Sequence, residues 1–373
     1  MKVLYDHQIF EMQKFGGISR YFSELIKTNP SAKLALKYTD NLYFDEDHCK
    51  LFKLLPKNEP QYDNFLFGLN FKGRGRLFRC YKKIRQKNNI SKSINYLNKL
   101  DFDVFHPTYY NTYFLQYLKN KPFVLTVHDM IHEIFVEEDQ HTIINKKKLI
   151  LQSNKIITIS ENTKKDIVKF FPEINEEKIS VVYLASSFPL IEQYEEKGNY
   201  ILYTGNRDGY KNFNNLIKAI APLLIKYNFR LICTGSSFYD TELQMMKNLN
   251  ISDRVLCNKF TSEDELIALY SKASIFVFPS LYEGFGIPIL EAFATGCPAL
   301  LSNTSSLPEI GGNAAVYFDP YSIDDMRIKI ENVLTSTALQ KELIKKGKER
   351  VKQFSWKKCA QETVDVYKKI IYT

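Results

Sequence analysis

The chain has no apolar run near the ~20 residues that a helix needs to cross a bilayer. Its first residues, MKVLYDHQIF, lack the long apolar stretch of a secretory leader and read instead as an opening β-strand. Cysteine is sparse: six residues at 49, 80, 233, 257, 297 and 359, without CxxC spacing. That pattern argues against a disulfide frame or a zinc site and suits reduced thiols in a cytosolic protein. The GxGxxG fingerprint is missing, which counts against a dinucleotide dehydrogenase. No cluster of His, Asp, Glu or Cys has convincing metal-ligand spacing, so metal-free chemistry is expected. Asp101-Phe102-Asp103 has the spacing of a DxD metal-diphosphate motif. It precedes the strand Val104-Phe105-His106, the wrong end for a ligand, and reads as a helix-to-strand turn. Internal repeats and low-complexity segments are also lacking.

What is present is an α/β pattern on a scale of two domains. The 373 residues exceed one ordinary core. Short β-branched or aromatic runs alternate with helical stretches, first at 3–5, 104–106, 123–128, 156–159 and 181–184. A second series follows at 200–205, 229–235, 255–256, 275–279 and 298–302. Such alternation implies parallel sheets with crossover helices. The polar, irregular stretch 185–199 is the expected linker. After Pro320 the chain reads as helical to its end.

The net charge of +9 is uneven: residues 1–190 hold 29 Lys and Arg against 21 Asp and Glu, and residues 191–373 hold 22 against 21. The densest basic run, Lys72 to Lys87, interleaves its cations with Leu77, Phe78, Tyr81 and Ile84. A solvated helix face explains such a run most simply. Adhesion to an anionic membrane or to a lipid-phosphate acceptor is the functional alternative. Nucleic acid fits less well, because no recognition module accompanies the patch.

Four segments carry candidate chemistry. The segment 283–291 reads EGFGIPILE, a glycine-rich turn between the apolar run Ile275–Pro279 and a helical stretch. Such a turn frees backbone N–H groups for an anion. Glu283 and Glu291 frame it and can accept hydrogen bonds from sugar hydroxyls at the two ends of a nucleotide-sugar. In GNRDGYKN (205–212), Arg207 and Lys211 sit in a loop at a strand's end, where two cations can neutralise a departing diphosphate. Gly16-Gly17 follows the first strand and leads into a helix, a place where backbone can approach phosphate closely. His128 ends the most apolar strand of the first half and is expected to face a cleft; residue type alone favours a structural histidine, and the strand-end position brings a sugar-contacting role level with it.

With these residues in view, the chain resembles the family-4 glycosyltransferases. GGISRY, TVHD, ITIS, YTGNRDGYKN and EGFGIPILE occur in that family's order over nearly the whole chain, followed by AFATGCPALLSNTSSLPEIGGNAAVYFDP at 292–320. The resemblance implies the GT-B fold: two facing Rossmann-like domains, 1–187 and 188–355, with a final helix, 356–373, crossing back onto the first. It implies that Glu283 and the backbone of Gly284, Phe285, Gly286 and Ile287 meet the transferred sugar, and that Glu291 binds ribose. Arg207 and Lys211 would hold the diphosphate, with the amides of Gly16 and Gly17 opposite and His128 beside the reacting sugar. Phe260 and Thr261 would contact the base, although Lys259 stands where the family more often has glycine, which leaves uridine and guanosine both open. Gly312-Asn313 stands where an aspartate is common, a departure read as structural.

The expected activity is retaining, metal-independent hexosyl transfer from a nucleoside-diphosphate sugar, GDP-mannose or a UDP-hexose, with no separate cofactor. The expected acceptor is a lipid-linked glycan in the synthesis of an O-antigen-like or capsular polysaccharide, at the inner face of the cell membrane and without nucleic acid. A GT-B sugar-nucleotide 2-epimerase and a non-enzymatic basic scaffold are the competing readings.

Overall fold

In the computed structural model the described residues are 1–54, 72–135, 139–192, 196–207, 209–258 and 262–372. Twelve short strands run through them: β1 Val3–Tyr5, β2 Ala32–Leu34, β3 Val104–His106, β4 Val124–Val127, β5 Lys155–Thr158, β6 Ile179–Val181, β7 Tyr200–Tyr203, β8 Arg230–Thr234, β9 Val255–Asn258, β10 Ile275–Phe278, β11 Ala299–Ser302 and β12 Ala315–Phe318. Every strand pair is parallel. The first half forms the sheets β2-β1-β3 and β4-β5-β6, joined by the bridge Phe105–Phe123; the second half forms β12-β11-β10-β7-β8-β9.

Helices cover both faces of each sheet, so the strand sequences are continuous apolar runs with no alternation. Val-Leu-Tyr of β1, Val-Leu-Thr-Val of β4 and Ile-Phe-Val-Phe of β10 are buried at every position. Strands at the sheet edges lack that signature, β6 and β9 among them. β2 (Ala-Lys-Leu) lies at a sheet edge and is only partly buried, and β12 lies at the edge of the second sheet. Neither was expected from the sequence, and β6 ends where a strand was expected to begin.

Strand order fixes where ligands can sit. In the second sheet, β8 and β9 extend one way from β7, while β11 and β12 extend the other way from β10. The loops after β7 and β10 therefore part at a topological switch point, the usual crevice of open α/β sheets. In the first sheet the same divergence falls between β1 and β3.

Asp101 and Asp103 stand at the amino end of β3. The Asp101 carboxylate accepts from the Lys2 and Lys33 ammonium groups, and Asp103 accepts from the Lys2 backbone N–H at 2.7 Å. They staple a helix-to-strand turn on the face away from the strands' carboxyl ends.

The final helix, Trp356–Ile371, packs on helix Gly17–Thr28 and β5 of the first half. Its Tyr367 hydroxyl lies 3.0 Å from the Tyr5 hydroxyl and 2.6 Å from Nδ1 of His106, whose Nε2 is 2.9 Å from the Thr126 hydroxyl. Burial pushes His106 down to about 3, so this buried chain is uncharged at neutral pH.

Candidate functional site

The loop after β10 is held by its own side chains. Ser305 Oγ accepts from the Glu283 N–H at 3.0 Å, and Ser306 Oγ donates to the carbonyls of Glu283 and Phe285 at 2.9 and 3.1 Å. Gly286, at φ 100°, turns the chain into helix Ile287–Ala294, with Pro288 in its first turn. That φ lies in the left-handed region where a side chain is strained. The loop after β7 is tied alongside by Leu281 N–H donating to the Tyr210 carbonyl at 2.8 Å.

These ties place Lys211 Nζ 2.6 Å from Glu283 Oε1. Both side chains are mostly buried, at 16% and 11% exposure. Burial works against the lysine's charge, but the Glu283 carboxylate outweighs it and raises its pKa, with Asp129 of the facing half adding to the effect. Arg207 is placed differently. Its Nε meets Glu242 Oε1 at 2.8 Å, its Nη2 donates to the carbonyls of Ser236 and Ser237 at 2.9 and 2.7 Å, and its plane stacks on Phe238 and Phe213. Of its nitrogens only Nη1 is buried without a partner among the described residues. The guanidinium is therefore anchored beside the pair and no contact joins it to Lys211.

Two helix N-termini face each other across the crevice. A Cβ added to Gly17, the first residue of helix Gly17–Thr28, would lie 3.4 Å from Ile287 Cδ1 at the start of the opposite helix. The first amides of each helix have no intrahelical acceptor, so both dipoles favour an anion between them. Gly284 is pressed against the first half: a Cβ there would meet the His128 carbonyl at 1.9 Å. Phe285 packs edge-on to Phe354 and near Tyr183, a core role for its side chain.

His128 directly follows β4, 4% exposed, its backbone N–H donating to the Tyr110 hydroxyl at 3.2 Å. Tyr21 and Phe22 pack around the ring. Burial lowers its pKa to about 4, and Nε2 is buried without a partner among the described residues. A neutral imidazole with an uncommitted nitrogen can exchange a hydrogen bond with a hydroxyl. Glu291 accepts from the Tyr270 hydroxyl at 3.1 Å, and burial raises its pKa to about 7. Close by, Arg20 bridges to Glu263 at 2.7 Å, joining the two halves. Phe260 and Thr261, like Lys259, lie outside the described residues.

Glu242 and Tyr270, near the site, were not singled out from the sequence; their contacts span 35 and 21 positions, and no local motif announces them. Asp129 and Arg20 stand in TVHD and GGISRY, but nothing local announced that Arg20 bridges to Glu263, 243 positions away, or that Asp129 acts on Lys211. The bare spacing of Arg207 and Lys211 gave no sign that the arginine has a carboxylate of its own.

The sequence matches two family descriptions that together run through most of the chain: "Glycosyltransferase Family 4" over residues 58–185 and "Glycosyl transferases group 1" over residues 189–350. The chain belongs to this glycosyltransferase family. Among curated relatives, the O-antigen chain mannosyltransferase B of Escherichia coli is 28% identical over 63% of this chain. The O-antigen chain mannosyltransferase RfbU of Salmonella typhimurium is 30% identical over 56%. The chain spans 64% and 60% of their lengths. A solved sucrose-phosphate synthase from Thermosynechococcus elongatus superposes with a TM-score of 0.73 over the whole of both chains at 18% identity. That likeness, with the two parallel sheets and the returning C-terminal helix, makes the fold GT-B.

Proposed function

We propose that this family-4 glycosyltransferase moves a hexose, mannose being the preferred choice, from a nucleoside-diphosphate sugar to a glycan or lipid-linked acceptor of a cell-surface polysaccharide. The observation that carries the reading is the Lys211–Glu283 pair, 2.6 Å apart at the switch point of the second sheet, opposite His128 and the Gly17 helix terminus. Two mostly buried charges, paired with each other while the lysine lies over the Tyr210 and Phe278 rings, are poised to separate when a ligand offers better partners. Lys211 would turn to the diphosphate and Glu283 to the sugar hydroxyls. Arg207 would add Nη1 from its fixed seat, Glu291 would take ribose hydroxyls, and the amides at Gly16–Gly17 and Gly284–Ile287 would approach from either side. Phe260 and Thr261 are the proposed base contacts.

In the proposed step the bond from the anomeric carbon to the phosphate oxygen breaks with its electron pair going to phosphate. An acceptor hydroxyl forms the new bond on the same face, and the departing phosphate takes its proton. Configuration is then retained, and cations plus helix termini stabilise the leaving charge without a metal. Contact between the halves excludes water. The one-bond C1–H1 coupling in NMR of the product tests retention, since the value of the inverted anomer contradicts it. Turnover that survives EDTA fits the metal-free step, whereas loss restored by Mn²⁺ contradicts it.

The main test is substitution of the pair. Glu283→Ala abolishes transfer while the protein still folds; full activity in that variant overturns the assignment and favours a non-enzymatic scaffold. Placement at the inner face of the membrane belongs to the same reading. It is supported by helix Arg74–Lys99, which exposes Arg76, Arg79, Lys82 and Lys83 together with Leu77 and Ile84. Arg74, in contrast, is buried and does not belong to that face.

A further inference from the structure

Lys146 lies on helix Gln140–Gln152 with its side chain 0% exposed. Its Nζ donates to Glu133 Oε2 at 2.8 Å and to the Asp129 carbonyl at 3.1 Å, and it stands 5.1 Å from the centroid of the Tyr110 ring. The Glu133 side chain is itself only 4% exposed. A buried pair of this kind is weak evidence for stability, because apolar side chains of the same volume often serve as well in its place. What an apolar side chain could not supply is the bond to the Asp129 carbonyl. Resting on the proposed function, we infer that Lys146 is a positioning residue for transfer: through that carbonyl it fixes the link between His128 and the Glu283 loop, and it takes no part in holding the nucleotide.

The link is a chain of bonds across the two halves. The Asp129 carbonyl and the Met130 N–H belong to one planar peptide unit, so a bond at one end sets the direction of the other. Lys146 holds the carbonyl end. The N–H end crosses to the other half and donates to the Tyr282 hydroxyl at 3.3 Å. Tyr282 adjoins Glu283, and its own hydroxyl donates to Asp166 at 2.7 Å. One residue earlier, the His128 carbonyl lies where a Cβ on Gly284 would come within 1.9 Å of it. The peptide units on both sides of Asp129 therefore abut the loop that carries Glu283, and the charge of Asp129 acts on Lys211.

The segment is braced at each end. The Tyr110 hydroxyl accepts from the His128 N–H at 3.2 Å, and Asp129 Oδ1 accepts from the Ile131 N–H at 3.0 Å. At the far end of helix Ile131–Phe135, the Phe135 ring lies 5.8 Å from Tyr210 and 6.2 Å from Tyr282, centroid to centroid. Lys146 grips the segment between these ends from a separate helix. Glu133 serves as its countercharge, since an ammonium taken out of water alone is costly or loses its proton. With no exposed side-chain atom, Lys146 cannot touch a ligand, so its effect on transfer is through position alone.

Three variants test this: Lys146→Met, Lys146→Met with Glu133→Gln, and Glu133→Gln alone. Release of nucleoside diphosphate from GDP-mannose or UDP-glucose, with and without methyl α-mannopyranoside, reads turnover and donor KM. Calorimetry with GDP and UDP reads nucleotide affinity. Lys146→Met strands Glu133 as a buried, unpaired charge and is expected to melt lower. The double variant removes both charges at nearly constant volume, so its melting temperature returns to the unsubstituted value. Its turnover does not return. A fall of about tenfold to a hundredfold is expected, the size of effect that a misplacement of about 1 Å produces, with donor KM and GDP or UDP affinity unchanged. Glu133→Gln leaves an oxygen for the ammonium and spares the bond to the Asp129 carbonyl, so it keeps its turnover.

Full turnover in a double variant with restored melting overturns the inference, as does a double variant that cannot fold, which makes the pair structural. Turnover lost as deeply in Glu133→Gln as in the double variant, or a rise in donor KM in place of the fall in turnover, overturns it too. Each of these leaves the proposed function standing. Absence of GDP and UDP binding in the unsubstituted chain would strike the function itself.

Discussion

At the residue scale the site is a set of charges that already have partners. Lys211→Ala removes the cation beside the departing phosphate, whose charge grows only as the bond breaks. We expect turnover to fall by about 10²–10³, as for loss of a single oxyanion donor, with a smaller rise in donor KM. A rise in KM alone contradicts that role. Glu291 gives a prediction in pH. Burial lifts it from about 4.5 to about 7, so below 4.5 both folded and unfolded chains hold the proton and stability is unaffected. Between 4.5 and 7 the unfolded chain releases it first, and folding stability declines by at most about 3 kcal/mol. Glu291→Gln is therefore expected to melt higher than the unsubstituted chain at pH 8 and alike at pH 4. Equal melting temperatures at pH 8 contradict the burial. His106 and His128 have the opposite sign, since their folded values of about 3 and about 4 lie below 6.5 and cost stability as pH falls below that value.

At the scale of elements, legibility followed burial. Strands with both faces covered, such as β4 and β10, declare themselves as apolar runs. β2 and β12 are short edge strands with polar or half-exposed positions, and their pairing depends on neighbours distant in sequence. Glu283 and Gly286 were readable because a strand, a glycine turn and a helix adjoin within one stretch. The Arg207–Glu242 and Arg20–Glu263 contacts were not, because each joins separate elements. The basic helix was legible as a charge run, but only its packing revealed that Arg74 turns inward while Leu77 and Ile84 stay exposed at 49% and 59%. Replacing Arg76, Arg79, Lys82 and Lys83 by Gln should weaken binding to anionic vesicles, each cation being worth about 1 kcal/mol near such a surface, and leave turnover of a soluble acceptor alone. Unchanged vesicle binding reduces the helix to solvated surface.

At the scale of the whole molecule, two parallel sheets bring their switch points to one crevice, and the halves touch through specific bonds. Glu309 accepts from the Glu161 and Asn162 N–H groups at 2.7 and 3.1 Å, and Tyr282 bridges Asp166 and the Met130 N–H. Gly284 lies at that contact, where an added Cβ would be 1.9 Å from the His128 carbonyl oxygen. Gly284→Ala has no room beside the His128 carbonyl, so the halves must part. Small-angle scattering should give a larger radius of gyration and transfer should fall, whereas an unchanged radius with full turnover contradicts the closeness of the contact.

The central claim is that the crevice grips an activated sugar through its diphosphate. Calorimetric titration of the unsubstituted chain and of Lys211→Ala with GDP and UDP tests it most directly. The account predicts saturable one-to-one binding of at least one nucleotide and weaker binding in the variant. No binding of either, or identical affinity in both proteins, contradicts it.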